Sequence, residues 1–341
     1  MKIALDAMGG DHAPETIVEG AVLAARDLDV EIILVGDEKK VETALSRHVT
    51  TGLPLSIVHA SQKVEMEDSP SSVIRKKRNS SIWIATELVK KSEAVAVISA
   101  GNTGATMASS LFVLGPLSGV ERPAIATLLP TLKGQAVLID VGANVDCKPQ
   151  HLFQFAIMGA MYAEKILGIP EPSVGLLSIG EEDTKGNELT KEVFKMLKKS
   201  SLAFVGNVEG RDVYSGDTDV VVCDGFIGNV ALKISEGLSD AIIKFLKREI
   251  MASPMGKLGY FFLKPSFARF KKKIDYAEYG GAPLLGVDGI TIICHGNSSG
   301  HAIMNAVRVA RDFHKKGMNR HIKEQIGTQM QLSSPLVEKK L

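Results

Sequence analysis

The chain has few of the features that would assign a protein to a particular class. Only three of its 341 residues are cysteines, and the spacing of Cys147, Cys223 and Cys294 fits neither a zinc site nor a set of paired disulfides. We therefore expect a reducing, cytoplasmic environment. Lys and Arg (40) balance Asp and Glu (39), and the resulting formal net charge of +1 argues against a nucleic-acid partner.

Long uninterrupted apolar segments are also missing. Asp6 comes too soon after the first residue for a secretory signal peptide. Residues 94–120 carry no charge, but Asn102, Gly104 and Pro116 interrupt them. Because a membrane span needs about 20 predominantly apolar residues, we expect a strand, a loop and a buried helix here instead.

Three common catalytic signatures are missing as well. No G-x-G-x-x-G follows a strand, no glycine-rich loop has the lysine and spacing of a P-loop, and no G-x-S-x-G elbow is present. Nicotinamide chemistry and a serine nucleophile are therefore not indicated. Nothing in the sequence calls for a metal ion or an organic cofactor, and we expect neither.

The chain instead repeats one pattern, in which a short apolar run rich in Val and Ile ends at a cluster of Gly, Asn and Asp. Such runs are typical of buried parallel strands, and several are followed by a helical pattern. The clusters occupy residues 99–104, 140–144, 180–187, 206–207, 224–229 and 295–297. We predict an α/β fold with a mostly parallel sheet and helices on both faces. Residues 1–330 should form one integrated domain with a helical protrusion at about 250–275, and 331–341 a flexible tail.

The glycine-rich clusters predict a binding site. The carboxyl ends of parallel strands share one edge of a sheet, so we expect all six clusters to converge there. Glycine lets a backbone approach a ligand closely, and asparagine both donates and accepts hydrogen bonds, so the rim suits a small anion. Residues 6–14 add Asp6, Asp11 and His12 at a further turn from strand to helix. Capping by Asp11 is the alternative there, but capping does not explain Gly9 and Gly10.

Two basic segments have alternative interpretations. Arg75, Lys76, Lys77 and Arg78 precede an apolar helical pattern, and they form either a docking patch for an acidic partner or a solvated helix start. Residues 255–273 combine five aromatic side chains with six basic ones. This segment either lies on an anionic membrane or forms a helical hairpin, broken near Pro265, that packs on a second subunit.

Nine stretches, in this order, resemble the phosphate acyltransferase family of bacterial phospholipid synthesis. They are residues 6–14, 76–81, 99–105, 122–124, 140–146, 182–188, 206–209, 224–230 and 279–281. The resemblance implies transfer of a long-chain acyl group from an acyl carrier protein thioester to inorganic phosphate, which gives acyl-phosphate. It also implies a fold akin to isocitrate and isopropylmalate dehydrogenases and phosphate acetyltransferase, a homodimer, and a loose association with the membrane or a membrane acyltransferase.

The family chemistry suggests roles for individual residues. We hypothesise that Lys185 and Asn229 hold the phosphate or the developing oxyanion, and that Asp224 positions Lys185 or its neighbours. A solvated pair between Lys185 and Asp183 or Glu182 is the alternative for that loop. The predicted substrate pocket comprises Asp6, Gly9, Gly10, His12, Asn102, Thr103, Gly104, Asn144, Asn187 and Asn207. The predicted surfaces comprise Arg75, Lys76, Lys77, Arg78, Lys271 and Lys272 for the carrier protein, and Leu258, Phe261 and Phe262 for the membrane or acyl chain.

Other functions use similar residues. A phosphate acetyltransferase acting on acetyl-CoA needs the same anion pocket together with a nucleotide site. A dehydrogenase of the related fold needs a metal-binding carboxylate trio and a cofactor groove, which the sequence does not supply. A non-catalytic module for phosphorylated ligands would use the same glycine and asparagine loops without turnover.

Overall fold

The computed structural model describes residues 1–274 and 280–333. Residue Tyr279, residues 334–341 of the predicted tail, and the side chains of Lys271 and Lys272 lie outside the described residues. The strands are β1 (Lys2–Asp6), β2 (Glu31–Gly36), β3 (Leu55–His59), β4 (Ala96–Ser99), β5 (Ala124–Pro130), β6 (Gln135–Ile139), β7 (Val174–Ser178), β8 (Phe204–Glu209), β9 (Val220–Val222), β10 (Ala282–Leu285) and β11 (Thr291–Ile293). The helices are α1 (Glu15–Asp27), α2 (Glu38–Leu45), α3 (Pro70–Lys76), α4 (Ser81–Lys90), α5 (Thr103–Val113), α6 (Pro149–Tyr162), α7 (Glu188–Lys198), α8 (Gly225–Met251), α9 (Pro254–Ile274), α10 (Gly300–Lys315) and α11 (Met318–Ser333).

These strands form an 11-stranded sheet in the order β3-β2-β1-β4-β11-β10-β5-β6-β9-β7-β8. Strands β3, β2, β1, β4 and β11 are mutually parallel and make up a first block. Strands β6, β9, β7 and β8 make up a second parallel block. Strands β10 and β5 join the blocks through three antiparallel pairings, β11 to β10, β10 to β5 and β5 to β6. The predicted α/β class with a mostly parallel sheet is confirmed.

The strand directions correct the expectation of one common rim. Three successive antiparallel pairings reverse the direction of the second block relative to the first. The loops after β1, β4 and β11 therefore leave one edge of the sheet, and those after β6, β7, β8 and β9 leave the opposite edge. The prediction that all six clusters converge at one edge was wrong, because it assumed that every apolar run belongs to one parallel array. Residues of four clusters nevertheless line one cavity, whereas residues 180–187 and 206–207 do not.

Apolar side chains fill both faces of the sheet. In the first block α1 and α10 cover one face with Val18, Ala21 and Ile303, and α4 covers the other with Ile82 and Ala85. In the second block α6 is almost wholly buried, as its uncharged sequence from Leu152 to Tyr162 requires. Helices on both faces are what a parallel sheet needs, because its strands bury both surfaces.

Helices α8 and α9 form a hairpin. Helix α8 has 27 residues, and α9 follows it after residues 252–253. The predicted break at Pro265 is wrong, since α9 continues through it. The hairpin turn instead lies ahead of Pro254, which is tolerated because the first turn of a helix needs no N–H from that residue. Within residues 1–274 and 280–333, no helix has the length and apolar character required to cross a membrane.

Candidate active site

A cavity of about 470 Å³ opens over the central strands of the sheet. Its floor includes Ile125 and Thr127 of β5 and Ile293 of β11. Glycine-rich loops of the first block and the start of α8 supply its walls, so the cavity collects residues from both blocks. The wall residues used below are Asp11, Met66, Gly101, Thr103, Gly104, Met107, Leu128, Gly142, Asn229, Leu232, Lys233, Glu236, Cys294, His295 and Gly296.

The N-terminus of α5 forms one polar wall. Gly101, Thr103 and Gly104 line the cavity, whereas the side chain of Asn102 faces away from it as the helix cap. Asn102 Oδ1 accepts a hydrogen bond from Ala105 N at 2.9 Å, and its Nδ2 donates to the carbonyl oxygen of Met66 at 2.7 Å. Thr103 and Gly104, the first two residues of α5, therefore bring the N-terminus of a helix to the cavity wall, and a helix N-terminus favours an anion.

Asp6 supports this wall from the core and does not itself line the cavity. Its side chain is buried, and Ser99 Oγ donates to Asp6 Oδ2 at 2.7 Å while accepting from Gly101 N at 3.0 Å. A Cβ on Gly9 would lie 2.5 Å from Asp6 Oδ2 and 2.9 Å from Gly101 N, so only glycine fits there. Burial raises the pKa of Asp6, and hydrogen bonds from Ser81 and Ser99 oppose that rise.

The loop after β1 touches the loop after β11. Asp11 N donates to the carbonyl oxygen of Gly296 at 2.8 Å, and Gly10 adopts a φ of +119°, which favours glycine. Asp11 lines the cavity, and α1 has no side-chain cap, so the capping alternative for Asp11 was wrong. His12 is exposed and does not line the cavity.

A buried carboxylate organises the loop after β6. Asp140 accepts hydrogen bonds from Ile125 N, Ala143 N and both nitrogens of Asn144, at 2.8 to 3.0 Å. Asn144 Nδ2 also donates to the carbonyl oxygen of Pro123 at 2.7 Å, so this side chain fixes the loop and does not face the cavity. Burial raises the pKa of Asp140 against these hydrogen bonds.

Helix α8 begins against the same loop. Asp224 Oδ1 caps the helix by accepting from Ile227 N at 2.8 Å. A Cβ on Gly228 would lie 1.8 Å from the carbonyl oxygen of Asp140, so the helix backbone rests directly on the loop. Asn229 and Gly142 both line the cavity. They lie side by side, since a Cβ added to Gly142 would be 3.6 Å from Asn229 Cγ.

Lys185 lies elsewhere. It is exposed on the loop after β7, and its stem folds back over Gly180. Asp183 pairs with Lys198 at 2.9 Å, not with Lys185. Asn187 caps α7 by accepting from Thr190 N, and Asn207 Nδ2 donates to the carbonyl oxygen of Glu182 at 2.8 Å. Lys185 and Asn187 belong to the loop after β7, Asn207 bonds to that loop, and none of the three lines the cavity.

Of the thirteen predicted catalytic and substrate-binding residues, Thr103, Gly104 and Asn229 line the cavity. Asn102, Asn187 and Asp224 are helix caps, because each side chain has an oxygen that accepts a hydrogen bond from a backbone N–H in the first turn of the helix. Sequence reasoning missed Leu232, Lys233 and Glu236. Their spacing from Asn229, at three, four and seven residues, is the repeat of one helix face and was the available signal.

The cysteines do not supply a nucleophile. Cys294 lines the cavity, but burial raises the pKa of its thiol to about 12. Cys223 is buried beside Asp140, and burial together with this carboxylate raises the pKa of Cys223 well above its usual value. Because the thiolate is the reactive form, these thiols are unreactive near neutral pH.

The predicted surfaces divide into exposed and engaged side chains. Arg75 and Lys76 are exposed, whereas Lys77 pairs with Asp68 and Arg78 lies over the rings of Trp83 and Phe112. On α9, Leu258, Phe261 and Phe262 are between 56% and 72% exposed. The hairpin therefore presents large apolar side chains to its surroundings.

Comparison with solved structures supports the fold. A phosphotransacetylase from Staphylococcus aureus superposes with a TM-score of 0.62 and 18% identity, covering 92% of this chain and 94% of that one. This likeness confirms the expected relationship to the fold of phosphate acetyltransferase.

Sequence relatives are more specific. A family model described as "Fatty acid synthesis protein" matches residues 1–321. A phosphate acyltransferase of Trichlorobacter lovleyi is 56% identical over 326 residues, covering 96% of this chain and 94% of that protein. One from Geobacter sulfurreducens is 54% identical over 329 residues, covering 96% and 95%. The chain belongs to the phosphate acyltransferase family of lipid biosynthesis, so it is an acyltransferase that uses phosphate as acceptor, and the binding-module alternative falls away.

Proposed function

We propose that this enzyme moves a long-chain fatty acyl group from an acyl carrier protein thioester to inorganic phosphate and releases acyl-phosphate for phospholipid synthesis. The observation that supports this most directly is the mixed character of one cavity. Its polar wall consists of glycine-rich loops and the N-terminus of α5, and its other walls include Met66, Met107 and Leu232. An anion and an apolar chain can therefore occupy it together.

The chemistry asks little of the protein beyond positioning. A phosphate oxygen attacks the thioester carbonyl carbon, the carbonyl π pair moves onto oxygen, and collapse of the tetrahedral intermediate breaks the carbon–sulfur bond. The products are acyl-phosphate and the carrier thiolate. Phosphate is already nucleophilic, and a thiol with a pKa of about 8.5 leaves readily. Backbone N–H groups at a helix start can stabilise the oxyanion without a strong base.

Of the two residues proposed to hold the phosphate or the oxyanion, Asn229 lines the cavity and Lys185 does not. Asn229 lies on the cavity wall, where its amide can donate to phosphate or to the oxyanion. Lys185 can serve only if the loop after β7 approaches the cavity, because its ammonium lies outside the lining. We expect Lys185→Ala to lower turnover and raise the KM for phosphate. Turnover and KM near those of the wild type would exclude a catalytic role for Lys185, and would also exclude the role of Asp224 in positioning it.

The decisive experiment uses purified protein and a long-chain acyl carrier protein thioester. Release of the carrier thiol is followed with and without inorganic phosphate, and acyl-phosphate is trapped with hydroxylamine. Phosphate-dependent release with acyl-phosphate formed is the expected result. Activity with acetyl-CoA but not with the carrier thioester would favour the phosphate acetyltransferase alternative instead.

Arg75 and Lys76 are the best-placed residues for carrier docking. Both are exposed, and neither has an ion-pair partner within the part of the chain that the structure describes. The carrier protein of this family is acidic, so charge reversal at Arg75 and Lys76 should weaken its binding in a salt-dependent manner. Reversal at Lys77 tests folding as well, because Lys77 pairs with Asp68. If the Arg75 and Lys76 variants bound the carrier protein as tightly as the wild type, this surface would be excluded as the docking site.

The α8–α9 hairpin supports the proposals of a homodimer and of membrane contact. Exposed apolar residues recur along α8 at Ile234, Leu238, Ile242 and Phe245, a stripe that a second copy can cover. Leu258, Phe261 and Phe262 lie on the other helix of the hairpin. Light scattering tests the dimer, and a dissociated monomer would contradict it. Vesicle flotation of a variant with charges at these three α9 positions tests the membrane contact, and undiminished flotation would contradict that.

A further inference from the structure

Helix α8 presents a polar stripe to the cavity on one side and an apolar stripe to the exterior on another. Asn229, Leu232, Lys233 and Glu236 all line the cavity, and their spacing is that of one helix face. With a rise of 1.5 Å per residue, the ammonium-bearing Lys233 starts about 6 Å along the helix from Asn229. Lys233 therefore belongs to the cavity and not to the exposed apolar stripe.

Lys233 is held by Glu236. The ammonium Nζ donates to both oxygens of the Glu236 carboxylate, at 2.9 and 3.2 Å. The Glu236 side chain is 19% exposed and that of Lys233 is 53% exposed, so the carboxylate is the more buried partner. An ammonium has three protons, and the two contacts leave one without a protein partner among the described residues.

The charges on the cavity wall make this cation significant. Asp11 and Glu236 place two carboxylates on the wall, and Lys233 is the one lysine or arginine among the described residues that line it. Two carboxylates disfavour a phosphate anion, and Lys233 is the ion-pair partner of Glu236 among the described residues. Backbone N–H groups carry only partial charges, so the ammonium of Lys233 is the strongest positive charge that this wall can offer to an anion.

We propose that Lys233 is the phosphate-binding cation of this cavity, with Glu236 holding its ammonium in place. The remaining ammonium proton is donated to a phosphate oxygen, while Asn229, one turn earlier on the same face, donates its amide to the same ligand. The assignment rests on the proposed function, because it names a residue that would bind the acceptor substrate. It differs from the role suggested for Lys185, which lies outside the cavity lining.

The test measures binding of inorganic phosphate alone, by isothermal titration calorimetry, to the full-length protein. Lys233→Met removes the charge and keeps much of the stem, and Lys233→Arg keeps the charge. Lys244→Met is the matched control, because Lys244 is exposed on the same helix and does not line the cavity. We expect the phosphate Kd to rise at least tenfold for Lys233→Met, and to stay within about threefold for Lys233→Arg and Lys244→Met. The KM for phosphate in acyl transfer should follow the same order.

Each outcome decides between the two proposals. Phosphate binding by Lys233→Met equal to that of the wild type overturns the role of Lys233 and leaves acyl transfer intact. An equal loss in Lys244→Met also overturns it, because the effect would then be one of overall charge. Weakened binding in Lys233→Met alone, in a protein that transfers no acyl group from the carrier thioester, supports Lys233 and refutes the proposed donor. A wild type that does not bind phosphate overturns the role of Lys233, and the thiol-release assay then decides acyl transfer by itself.

Discussion

Substitution of Gly228 by alanine should disable the site while leaving the helix intact. The added Cβ would lie 1.8 Å from the carbonyl oxygen of Asp140, and real contacts of this kind do not fall below 3.0 Å. Helix α8 must therefore retreat by more than about 1 Å, and Asn229 retreats with it. A misplacement of about 1 Å at a reacting group can cost about 100-fold in rate. Overpacking of this kind also destabilises a fold by about 1 to 3 kcal/mol.

The assay is phosphate-dependent thiol release by Gly228→Ala, compared with Gly237→Ala. Gly237 lies on the same helix, and its added Cβ meets nothing within 4 Å. The control should keep its kcat/KM and gain up to about 1 kcal/mol of helix stability. We expect kcat/KM to fall about 100-fold in Gly228→Ala alone. A Gly228→Ala enzyme with the kcat/KM of the wild type, or an equal loss in the control, would refute the argument that this contact positions Asn229.

Three further predictions concern stability. His151 is buried, accepts from Lys148 N through Nδ1 and lies 3.3 Å from Glu121, and burial lowers its pKa. The stability that the neutral imidazole contributes is therefore complete above pH 6.5 and is lost as the pH falls through the lowered pKa. The urea midpoint of the wild type should fall between pH 7.5 and 5.5, and the fall should be smaller in His151→Gln. An equal fall in the two proteins would contradict this. Asn102→Asp keeps the helix cap but loses the amide donated to Met66, so its free energy of unfolding should fall by about 1 to 3 kcal/mol, and no loss would contradict that role. The prediction that residues 1–330 form one integrated domain implies one unfolding transition with coincident fluorescence and circular dichroism, and two separated transitions would contradict it.

Much of the fold was predictable because local periodicity carries it. Nine of the described strands coincide with short apolar runs that end at polar clusters, and Val and Ile fit such buried strands. Strands β5 and β10 were missed, and every antiparallel pairing of the described sheet includes one or both of them. The pattern of apolar residues reports that a strand is buried but not which way it runs. The placement of the two sets of loops at opposite edges therefore could not be predicted from it.

The site was less predictable for a different reason. Asn and Asp after a strand serve equally as ligand contacts and as helix caps, and Asn102, Asn187 and Asp224 all turned out to be caps. The three-dimensional contact that separates these roles lies between segments distant in sequence, such as Asn102 and Met66. The helix face that carries Lys233 was available from spacing alone, because it starts at Asn229, which the sequence had already singled out.

Helix α8 behaves geometrically as a lever whose pivot lies at Gly228, where its backbone rests on Asp140. The long arm to Met251 measures about 35 Å, and the short arm to Asn229 is about 1.5 Å. A rigid tilt of about 10° at this pivot would move the hairpin end by about 6 Å but the helix axis at Asn229 by only about 0.3 Å. A tilt of the hairpin would therefore displace the backbone at Asn229 far less than the end of the hairpin.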